Sequence, residues 1–462
     1  MLTQQRRKIL VMAEDKASSS PCTEGYPSLR RLSAKHRETF AFKTISERLP
    51  KILTQVIDTM YKKSDRVVQE HGQEGGDDVK AVIHQLSELR YGLQTDKPLA
   101  PLVWGNDIDM WQGAFETYQT KRNKDPSWFQ SSWLMVECYL YRKIADILKT
   151  SKFLSSFDPF KEQKQASYLS YTASISPLAK YILLATSAAD LTIASNRHHL
   201  EHVILLSLWG NKTDLSMIAS YEGYDASQDM SGLGVTLTDE YLQGLHQNIL
   251  SDDLTAVCDI LASNVSQKRV DIVLDNAGFE LFTDLCMAEL LVSMKLVDKV
   301  IFHCKQLPWF VSDASQFDVH WMLDQMSSSD DNDIVKLGEK WKGHLSDGVW
   351  VLTDHAFWTT PYEFAAMKRV APDLYAQLQE ASLVIFKGDL NYRKLVADRN
   401  WLYATPFSVT LGGFLPTAVC ALRTLKADLV AGVNKEKVES AKNKTTEWMI
   451  TGQYAVVQLC KV

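Results

Sequence analysis

The spacing of apolar residues along the chain changes near residue 265. Before that point, segments such as Glu38 to Val68 and Trp128 to Leu154 place apolar residues three and four positions apart, with charged residues between them. This spacing predicts amphipathic helices. Two stretches rich in Ser, Gly, Asp and Pro, at 18–28 and 71–78, predict loops or a loose arm. The first part of the chain is therefore predicted to be mainly helical.

After residue 267 the pattern switches to short apolar runs rich in β-branched residues, each followed by a helical pattern. The predicted strands are 270–274, 300–304, 349–352, 383–386, 418–422 and 454–459. Continuous apolar runs are typical of strands buried on both faces, and their alternation with helices implies right-handed crossovers and a mostly parallel sheet. We therefore predict an α/β fold in which a helical N-terminal domain packs on a three-layer α/β/α domain.

The same change of pattern sets the predicted domain boundaries. Residues 1–29 are expected to form a flexible N-terminal arm, 30–265 a mainly helical domain, and 266–462 an α/β catalytic domain. The length of 462 residues leaves room for two or three domain-sized cores. Because α/β sheets bind ligands outside the carboxyl ends of their strands, functional residues are expected at that edge.

Composition and charge narrow the class of protein. The chain is 45% hydrophobic with a net charge of −6, and it has no long basic stripe for nucleic acid. Its seven cysteines are scattered, without a Cys-x-x-Cys pair, and no apolar run has the length of a signal-peptide core or a membrane span. We expect an intracellular protein, cytoplasmic with the nucleus as a second location, that binds small molecules or proteins rather than nucleic acid or membrane.

Several short motifs match known sites but lack the partners that those sites need. The segment His198 to His202 fits the inverted zinc-protease pattern H-x-x-E-H, yet no third ligand is identifiable and a polar helix face explains it as well. Residues 211–214 copy the guanine-binding N-K-x-D, but no phosphate-binding G-x-x-x-x-G-K-S/T accompanies them. Neither G-x-G-x-x-G after a strand nor G-x-S-x-G is present, so dinucleotide binding and serine hydrolysis are not favoured.

Two polar residues, Asp275 and Asn276, directly follow the predicted strand 270–274. Either could cap the next helix, because an Asp or Asn side chain accepts hydrogen bonds from the first helical turn. Capping needs only one of them, and two adjacent oxygen donors also suit a hard divalent cation. Asp313 lies one β-α-β unit later, so a parallel sheet would bring it to the same edge. These three residues are therefore candidate metal ligands.

Basic residues follow two further strands. After the strand 383–386, Gly388 frees the backbone and residues 389–393 open the next helix with a cationic side chain in reach. Helix N-terminal N–H groups together with Arg or Lys form a phosphate cradle. Later in the chain, Arg423 and Lys426 lie three apart, a spacing that also fits a solvated basic helix face. Acids that hold a cation, with converging basic residues, favour phosphoryl chemistry.

Four motifs in this order resemble those of the metal-dependent damage-control phosphatases, and in particular their third subfamily with its Arg-Thr-x-Lys signature. The motifs are Asp275-Asn276-Ala277-Gly278-Phe279-Glu280, Phe310-Val311-Ser312-Asp313, Lys387-Gly388-Asp389-Leu390-Asn391-Tyr392-Arg393 and Arg423-Thr424-Leu425-Lys426. The resemblance covers nearly the whole chain, including residues 208–212 in the helical half. Any one motif alone would be weak, whereas the ordered set is specific.

The resemblance implies a metal-dependent phosphatase that hydrolyses phosphometabolites such as fructose 1-phosphate and fructose 6-phosphate, sugar phosphates that glycate proteins. It implies a divalent cation, Mn²⁺, Ni²⁺, Co²⁺ or Mg²⁺, held by Asp275, Asn276 and Asp313. The positions that match substrate contacts are Asp275, Asn276, Asp389, Leu390, Asn391, Tyr392, Arg393 and Lys426. Catalytic roles are expected for Asp275, Asp313 and Asp389, with Asp389 the candidate for proton transfer or nucleophilic attack.

The same family is also described as S-adenosylmethionine-dependent methyltransferases that act on glutamate side chains, with the replication clamp as a protein substrate. Glu280 and Asp313 match the positions of that cofactor contact. A methyltransferase normally shows a glycine-rich loop after its first strand, whereas Asp-Asn-Ala-Gly is rich in metal donors. Phosphate hydrolysis is therefore the leading hypothesis. Methyl transfer and a non-catalytic scaffold that uses the Trp- and Tyr-rich helical half are the alternatives.

Overall fold

The structure, a computed structural model, describes residues 29–187, 193–210, 244–263 and 268–462. The described strands are Ile249–Asp252 (β1), Arg269–Val273 (β2), Lys299–Cys304 (β3), Trp350–Asp354 (β4), Leu383–Lys387 (β5), Ala418–Thr424 (β6) and Ala455–Cys460 (β7). All six predicted strands are present, to within a few residues. The strand β1 lies in the half predicted to be helical, and at four residues it is too short to show a strand pattern.

Helices account for most of the remaining described chain. Those that precede β2 are Phe40–Lys43 (α1), Leu49–Gln94 (α2), Ile108–Arg122 (α3), Trp133–Lys149 (α4), Lys161–Leu169 (α5), Thr172–Ser187 (α6), Ile193–Trp209 (α7) and Leu254–Ala262 (α8). Those that follow β2 are Phe279–Ser293 (α9), Gln316–Ser327 (α10), Asn332–Ser346 (α11), Met367–Val370 (α12), Pro372–Gln379 (α13), Gly388–Leu395 (α14), Phe407–Thr410 (α15) and Lys435–Lys444 (α16). A π-helical turn, Thr44–Arg48, joins α1 to α2, and two 3-10 turns, Ala356–Thr359 and Phe364–Ala366, follow β4.

The seven described strands form one sheet in the order β1-β7-β6-β5-β2-β3-β4. All neighbours in the sheet are parallel except β6 and β7, which confirms the prediction of a mostly parallel sheet. From β2 the chain runs outward through β3 and β4, then returns to the other side of β2 as β5 and continues to β6. The order of the strands thus reverses between β2 and β5, and the crevice at such a switch point is where open α/β sheets bind ligands.

Apolar side chains cover both faces of the sheet. Because side chains alternate along a strand, Ile272 and Ile385 point into one buried cluster while Val273 and Phe386 point into the other. Helices α6, α7 and α9 pack in the first cluster, and α2 and α4 contribute to the second. The layered α/β architecture is therefore confirmed. The helical half shares both cores with the sheet, and the division into domains at residue 265 remains a prediction.

One predicted loop is wrong. Residues 71–78 lie inside the 46-residue helix α2, which departs from helical geometry only at Gly72, with φ 66° and ψ −158°. The buried stripe of Val67, Val79 and Leu86 continues across the break, so packing outweighs the low helix propensity of the glycines. Gly72 supplies the positive φ that a kink requires. The other predicted loop, at 18–28, lies outside the described residues.

Two further findings bear on the class of protein. Within the described ranges, no helix is long and apolar enough to cross a membrane. The six cysteines in these ranges, Cys138, Cys258, Cys286, Cys304, Cys420 and Cys460, form no disulfide bonds.

Candidate active site

The candidate metal ligands meet where β2 and the segment after β3 pair at the edge of the sheet. Asn276 and Asp313 form an isolated antiparallel β-bridge, and the N–H of Ala314 donates to the backbone oxygen of Asp275 at 2.8 Å. The main chain itself thus holds the two carboxylates and the amide together. The predicted proximity of Asp275, Asn276 and Asp313 is the arrangement found in the structure.

The segment that carries Asp313 has an unusual backbone. Phe310 and Val311 adopt φ values of 46° and 73°, in the left-handed region that side chains with a Cβ disfavour. For a β-branched residue such as Val311 this conformation is an outlier that surrounding packing must impose. Tyr141 supplies part of that packing, since its ring stacks on Phe310 with centroids 4.7 Å apart. Backbone strain of this kind clusters at functional sites.

A chain of hydrogen bonds fixes the amide of Asn276. Its Nδ2 donates to Asp275 Oδ2 and to Glu280 Oε2, both at 2.7 Å, while its Oδ1 accepts a hydrogen bond from Ser312 Oγ. The exposed fractions of Asp275, Asn276, Glu280 and Asp313 lie between 3% and 8%. The cluster is therefore buried, and water screens its charges poorly.

The buried charges of this cluster do not balance. Lys305 Nζ lies 3.3 Å from Asp313 Oδ2, and Lys387 Nζ lies 3.0 Å from Asp284 and 3.5 Å from Glu280. The acidic cluster is defined here as four carboxylates and two ammonium groups, those of Asp275, Glu280, Asp284, Asp313, Lys305 and Lys387. With all six ionised, two negative charges are uncompensated. One divalent cation would offset them.

The electrostatics of the carboxylates reflect this imbalance. Burial raises the pKa of Asp275 well above its usual value, and the neighbouring carboxylates of Glu280 and Asp313 raise it further. Burial also raises the pKa of Asp313 to about 6, against the opposing effect of Lys305. Carboxylates that are held in this way favour a cation nearby.

The donors fit a hard cation. Asp313 Oδ2 is buried and accepts no well-formed hydrogen bond from the part of the chain that the structure describes. With Asp275 and Asn276 it offers the oxygen donors that Mn²⁺ and Mg²⁺ prefer. Among the described residues, no group of three or more His, Cys, Asp or Glu side chains is arranged to hold a metal, so the candidate site depends on the amide of Asn276 as well as the acids.

Gly388 brings the end of β5 against the acidic cluster. It has a φ of 81°, and a Cβ at this position would lie 2.7 Å from Asp275 Cβ and still closer to the Asp275 carboxylate. No residue other than glycine fits this contact. The motif after β2 and the motif after β5 are therefore in direct contact across the switch point, at Asp275 and Gly388.

The carboxylate of Asp389 connects the residues that follow β5 with those that follow β6. Asp389 Oδ1 accepts from Arg423 at 2.7 Å and from the backbone N–H of Lys426 at 3.1 Å. Burial acts to raise the pKa of Asp389, but the positive charges of Arg423 and Arg393 outweigh it and the pKa is lowered. Asp389 is therefore a carboxylate at neutral pH, and it fixes the loop that carries Lys426.

Lys426 is the cation of the site that remains available. Its side chain is half-buried, and Nζ has no hydrogen bond or salt bridge to any residue that the structure describes. Its positive charge opposes the rise in the pKa of Asp275, so it lies within electrostatic range of the acidic cluster. Arg423, in contrast, is fully buried and also donates to two backbone oxygens, and Thr424 pairs with β7 inside the sheet.

The remaining predicted contacts have structural partners. Asn391 Nδ2 donates to Lys387 O at 2.8 Å and to Leu274 O at 3.3 Å, which ties the end of β5 to that of β2. Leu390 is buried, and the hydroxyl of Tyr392 accepts a hydrogen bond from the N–H of Ala431. These contacts hold α14 in place, and the predicted role of the three residues in substrate binding stays a prediction.

Arg393, a predicted substrate contact, points away from the acidic cluster. Its guanidinium donates to Asp398 at 2.8 Å and to Glu137 at 2.6 Å, and it lies 3.6 Å above the ring of Trp133. Glu137 and Trp133 belong to α4, so this buried network joins the helical half to α14. All the side-chain donors that an anion would use are turned toward α4 and Asp398.

Three members of the acidic cluster were not predicted from the sequence. Lys305 and Asp284 become visible only once β3 and α9 are positioned, although Glu280 and Asp284 are four apart on one helix face, a spacing that signals a shared environment. Lys387 belongs to the motif 387–393, but its position at the end of a strand does not by itself indicate contact with Glu280 and Asp284.

Of the other motifs, His199 in the H-x-x-E-H segment is hydrogen-bonded to Tyr181 at 2.7 Å. The N-K-x-D segment, 211–214, lies outside the described residues.

The fold and the site together define an α/β protein whose switch-point cluster offers donors suited to a cation and to phosphate. Comparison with known proteins identifies the family. Residues 44–441 match the model of the damage-control phosphatase ARMT1-like domain, so the chain belongs to the family of damage-control phosphatases. The activity class that this family supports is that of a phosphatase.

Relatives in several vertebrates agree with the assignment. The chain is 40% identical to damage-control phosphatase ARMT1 of Xenopus tropicalis, over 93% of this chain and 98% of that protein. It is 41% identical to the protein of the same name from Danio rerio, over 94% and 98%, and 40% identical to that of Homo sapiens, over 92% and 97%. A solved DUF89 family protein from Pyrococcus horikoshii is 15% identical with a TM-score of 0.37, over 71% of this chain and 87% of that one, too distant to bear on the site.

Proposed function

We propose that this damage-control phosphatase hydrolyses small phosphate monoesters, with sugar phosphates such as fructose 1-phosphate and fructose 6-phosphate as substrates, and that it requires a divalent cation. The observation that carries the proposal is the acidic cluster, in which four buried carboxylates face two ammonium groups, beside Lys426, whose Nζ has no salt bridge among the described residues. A cation that offsets the negative charge of the cluster would also attract the phosphoryl group of a substrate.

The proposed metal ligands are the oxygens of Asp275, Asn276 and Asp313. When bound, a cation such as Mn²⁺, Ni²⁺, Co²⁺ or Mg²⁺ would withdraw charge from the phosphoryl oxygens. Lys305 Nζ lies 3.3 Å from Asp313 Oδ2 and also donates to the backbone oxygen of Leu274 at 2.6 Å, so it links Asp313 to the end of β2. The two carboxylates are therefore held in fixed positions before any ligand arrives.

The proposed substrate contacts lie on the other side of the switch point. Lys426 would pair with the phosphate, because its charge acts on Asp275 and its Nζ has no hydrogen bond or salt bridge among the described residues. Asp389, ionised and fixed by Arg423, can accept a hydrogen bond from a sugar hydroxyl or a proton from attacking water. Burial of the cluster excludes bulk water, which strengthens each of these interactions.

Phosphate release from fructose 1-phosphate tests the proposal. Purified protein with Mn²⁺ should release phosphate, and a chelator should abolish the release. Asp275→Ala and Asp313→Ala should each lose the activity, whereas the exposed Asp347→Ala should retain it. Full activity in Asp313→Ala would rule out the metal assignment, and no release from any sugar phosphate with any of the four metals would rule out the proposed function.

The alternative activity, S-adenosylmethionine-dependent methylation of glutamate side chains, is supported by the resemblance alone. Glu280, one of the two positions expected to contact that cofactor, is buried and already bonded to Asn276. Calorimetric titration with S-adenosylmethionine, before and after chelation, would reveal a cofactor site that is independent of metal.

A further inference from the structure

Glu280 and Lys387 are not proposed metal ligands. Glu280 contacts the proposed ligand Asn276, and Lys387 contacts Glu280. Glu280 Oε2 accepts the hydrogen bond from Asn276 Nδ2 at 2.7 Å, and Glu280 Oε1 faces Lys387 Nζ at 3.5 Å. Since a carboxylate is only an acceptor, this contact, together with the one to Asp275 Oδ2, sets which end of the Asn276 amide is the NH₂ group. The amide oxygen is therefore on the side of Ser312, whose Oγ donates a hydrogen bond to it.

Lys387 is itself anchored from the helical half. Its ammonium group donates to the backbone oxygen and to Oγ of Ser207 on α7, and it lies 3.0 Å from Asp284 Oδ1. Ser207 Oγ also donates to Asp284, at 2.6 Å. All three of these side chains are fully buried or nearly so, and the ammonium is surrounded by acceptors.

We infer that Lys387 and Glu280 are positioning residues that orient the Asn276 amide for the cation, and that Ser207 fixes Lys387. The inference deepens the proposed function and rests on it, because it assumes a cation at Asn276. Partners of this kind hold a ligand in its binding orientation, and their loss typically weakens metal affinity by about 10- to 100-fold.

Lys387→Met separates positioning from simple charge. Removal of a positive charge near a cation site should tighten Mn²⁺ binding if the lysine acts only as a point charge. If it positions Glu280 and Asn276, affinity should instead fall by about 10-fold or more. The measurement is calorimetric titration of Mn²⁺ into chelator-treated protein without substrate, so it is independent of turnover.

A double-mutant cycle adds a second readout. Glu280→Gln should also weaken Mn²⁺ binding, and Lys387→Met should have much less effect in the Glu280→Gln background, since the lysine acts through the glutamate. Ser207→Ala, a smaller change, replaces Lys387→Met as the test if that variant does not fold, and it should weaken Mn²⁺ binding in the same direction. Lys340→Met is the matched control. Lys340, on α11, pairs at 2.7 Å with Glu289, a buried glutamate on the same helix as Glu280. The Mn²⁺ affinity of this control should equal that of the wild type.

The outcomes are distinct. Wild-type Mn²⁺ affinity in folded Glu280→Gln and Lys387→Met, or tighter binding in Lys387→Met, overturns the inference while the proposed function stands. Additive effects in the cycle also overturn it. If the wild-type protein binds no Mn²⁺ and releases no phosphate, the proposed function fails and the inference fails with it.

Discussion

At the scale of single residues, the contact between Gly388 and Asp275 is the most restrictive feature of the candidate site. Two conditions coincide there, a positive φ and the absence of space for a Cβ. Gly348 has a similar φ of 71°, but no atom lies within 4 Å of the place that a Cβ would occupy. A substitution at Gly348 therefore tests the effect of the positive φ without the effect of crowding.

Gly388→Ala should therefore displace the Asp275 carboxylate and lower phosphate release by about 100-fold, the effect expected for a misplacement of about 1 Å. Gly348→Ala should cost about 1–2 kcal/mol of stability through backbone strain and leave the activity unchanged. Steady-state kinetics and thermal denaturation of both variants provide the measurement. Equal activity losses in the two would show that strain, not the contact with Asp275, is responsible.

Lys426 should govern substrate affinity. Lys426→Met would remove the proposed charge-assisted hydrogen bond to the phosphate, of the kind that contributes about 1.5–3 kcal/mol, so kcat/KM should fall about 10- to 100-fold, mainly through KM. The exposed Lys435→Met removes the same charge from α16 and should leave kcat/KM unchanged. An unaltered KM in Lys426→Met would remove this residue from the substrate site.

At the scale of elements, α14 connects the site to the helical half. The helix begins at Gly388, carries Asp389 on its first turn, and ends in the Arg393 network with α4. The sequence pattern predicts a phosphate contact for Arg393, but the structure surrounds it with Glu137, Asp398 and Trp133. Its contribution is therefore expected to be to stability.

Arg393→Gln should reduce the free energy of unfolding by about 3–5 kcal/mol, because it removes the positive charge that pairs with the buried carboxylates of Glu137 and Asp398. KM for a sugar phosphate should change little in the protein that remains folded. Arg66→Gln, which breaks an exposed pair with Glu70 on α2, should leave the stability unchanged. A large rise in KM at normal stability would instead indicate that Arg393 contacts the substrate.

The next residue of α14, Lys394, gives the fold a pH dependence. Burial lowers the pKa of Lys394 to about 8, and its ammonium group donates to the backbone oxygen of Trp358 at 2.9 Å. Between pH 8 and the unfolded value of 10.5, the unfolded chain holds the proton that the folded protein has lost, so stability rises with pH. Below pH 8 both states are protonated, and the folded protein carries the full cost of the buried charge.

The free energy of unfolding of the wild type should therefore gain up to about 3 kcal/mol relative to Lys394→Met between pH 8 and 10.5. Urea denaturation of the two proteins at several pH values measures the difference. The exposed Lys336→Met should follow the wild type at every pH. Parallel curves for wild type and Lys394→Met would contradict the expectation.

At the scale of the whole molecule, the two halves form shared cores. The strand β1, before residue 265, pairs with β7, and Leu134 and Leu140 of α4 lie in the same buried cluster as Phe386 and Val419 of the sheet. A fragment of residues 268–462 lacks these partners and exposes apolar surface that the intact chain buries.

This fragment should not fold alone, and its amide NMR spectrum should lack dispersion. Co-expression with residues 1–267 should restore a folded complex, because the missing surfaces are supplied in trans. A well-dispersed spectrum from the fragment alone would support an independent α/β domain beginning near residue 266.

Much of this fold is visible in the sequence, because strands buried on both faces leave continuous apolar runs. The meeting of Asp275, Asn276 and Asp313 is also visible, since parallel strands bring their carboxyl ends to one edge. The partners of Arg393 are not, because Glu137 lies 256 positions away and only the packing of α4 brings it close. Helix α2 passes through glycines that predict a loop, and burial decides the outcome there.

The close contact at Gly388 limits which mutations this position can accept during evolution. Every amino acid that one nucleotide change can create from a glycine codon carries a Cβ, and each would meet the Asp275 carboxylate. Every single-nucleotide change that replaces this glycine with another amino acid is therefore expected to displace the Asp275 side chain. Natural sequence variation in this part of the site should therefore be confined to positions that have space for a different side chain.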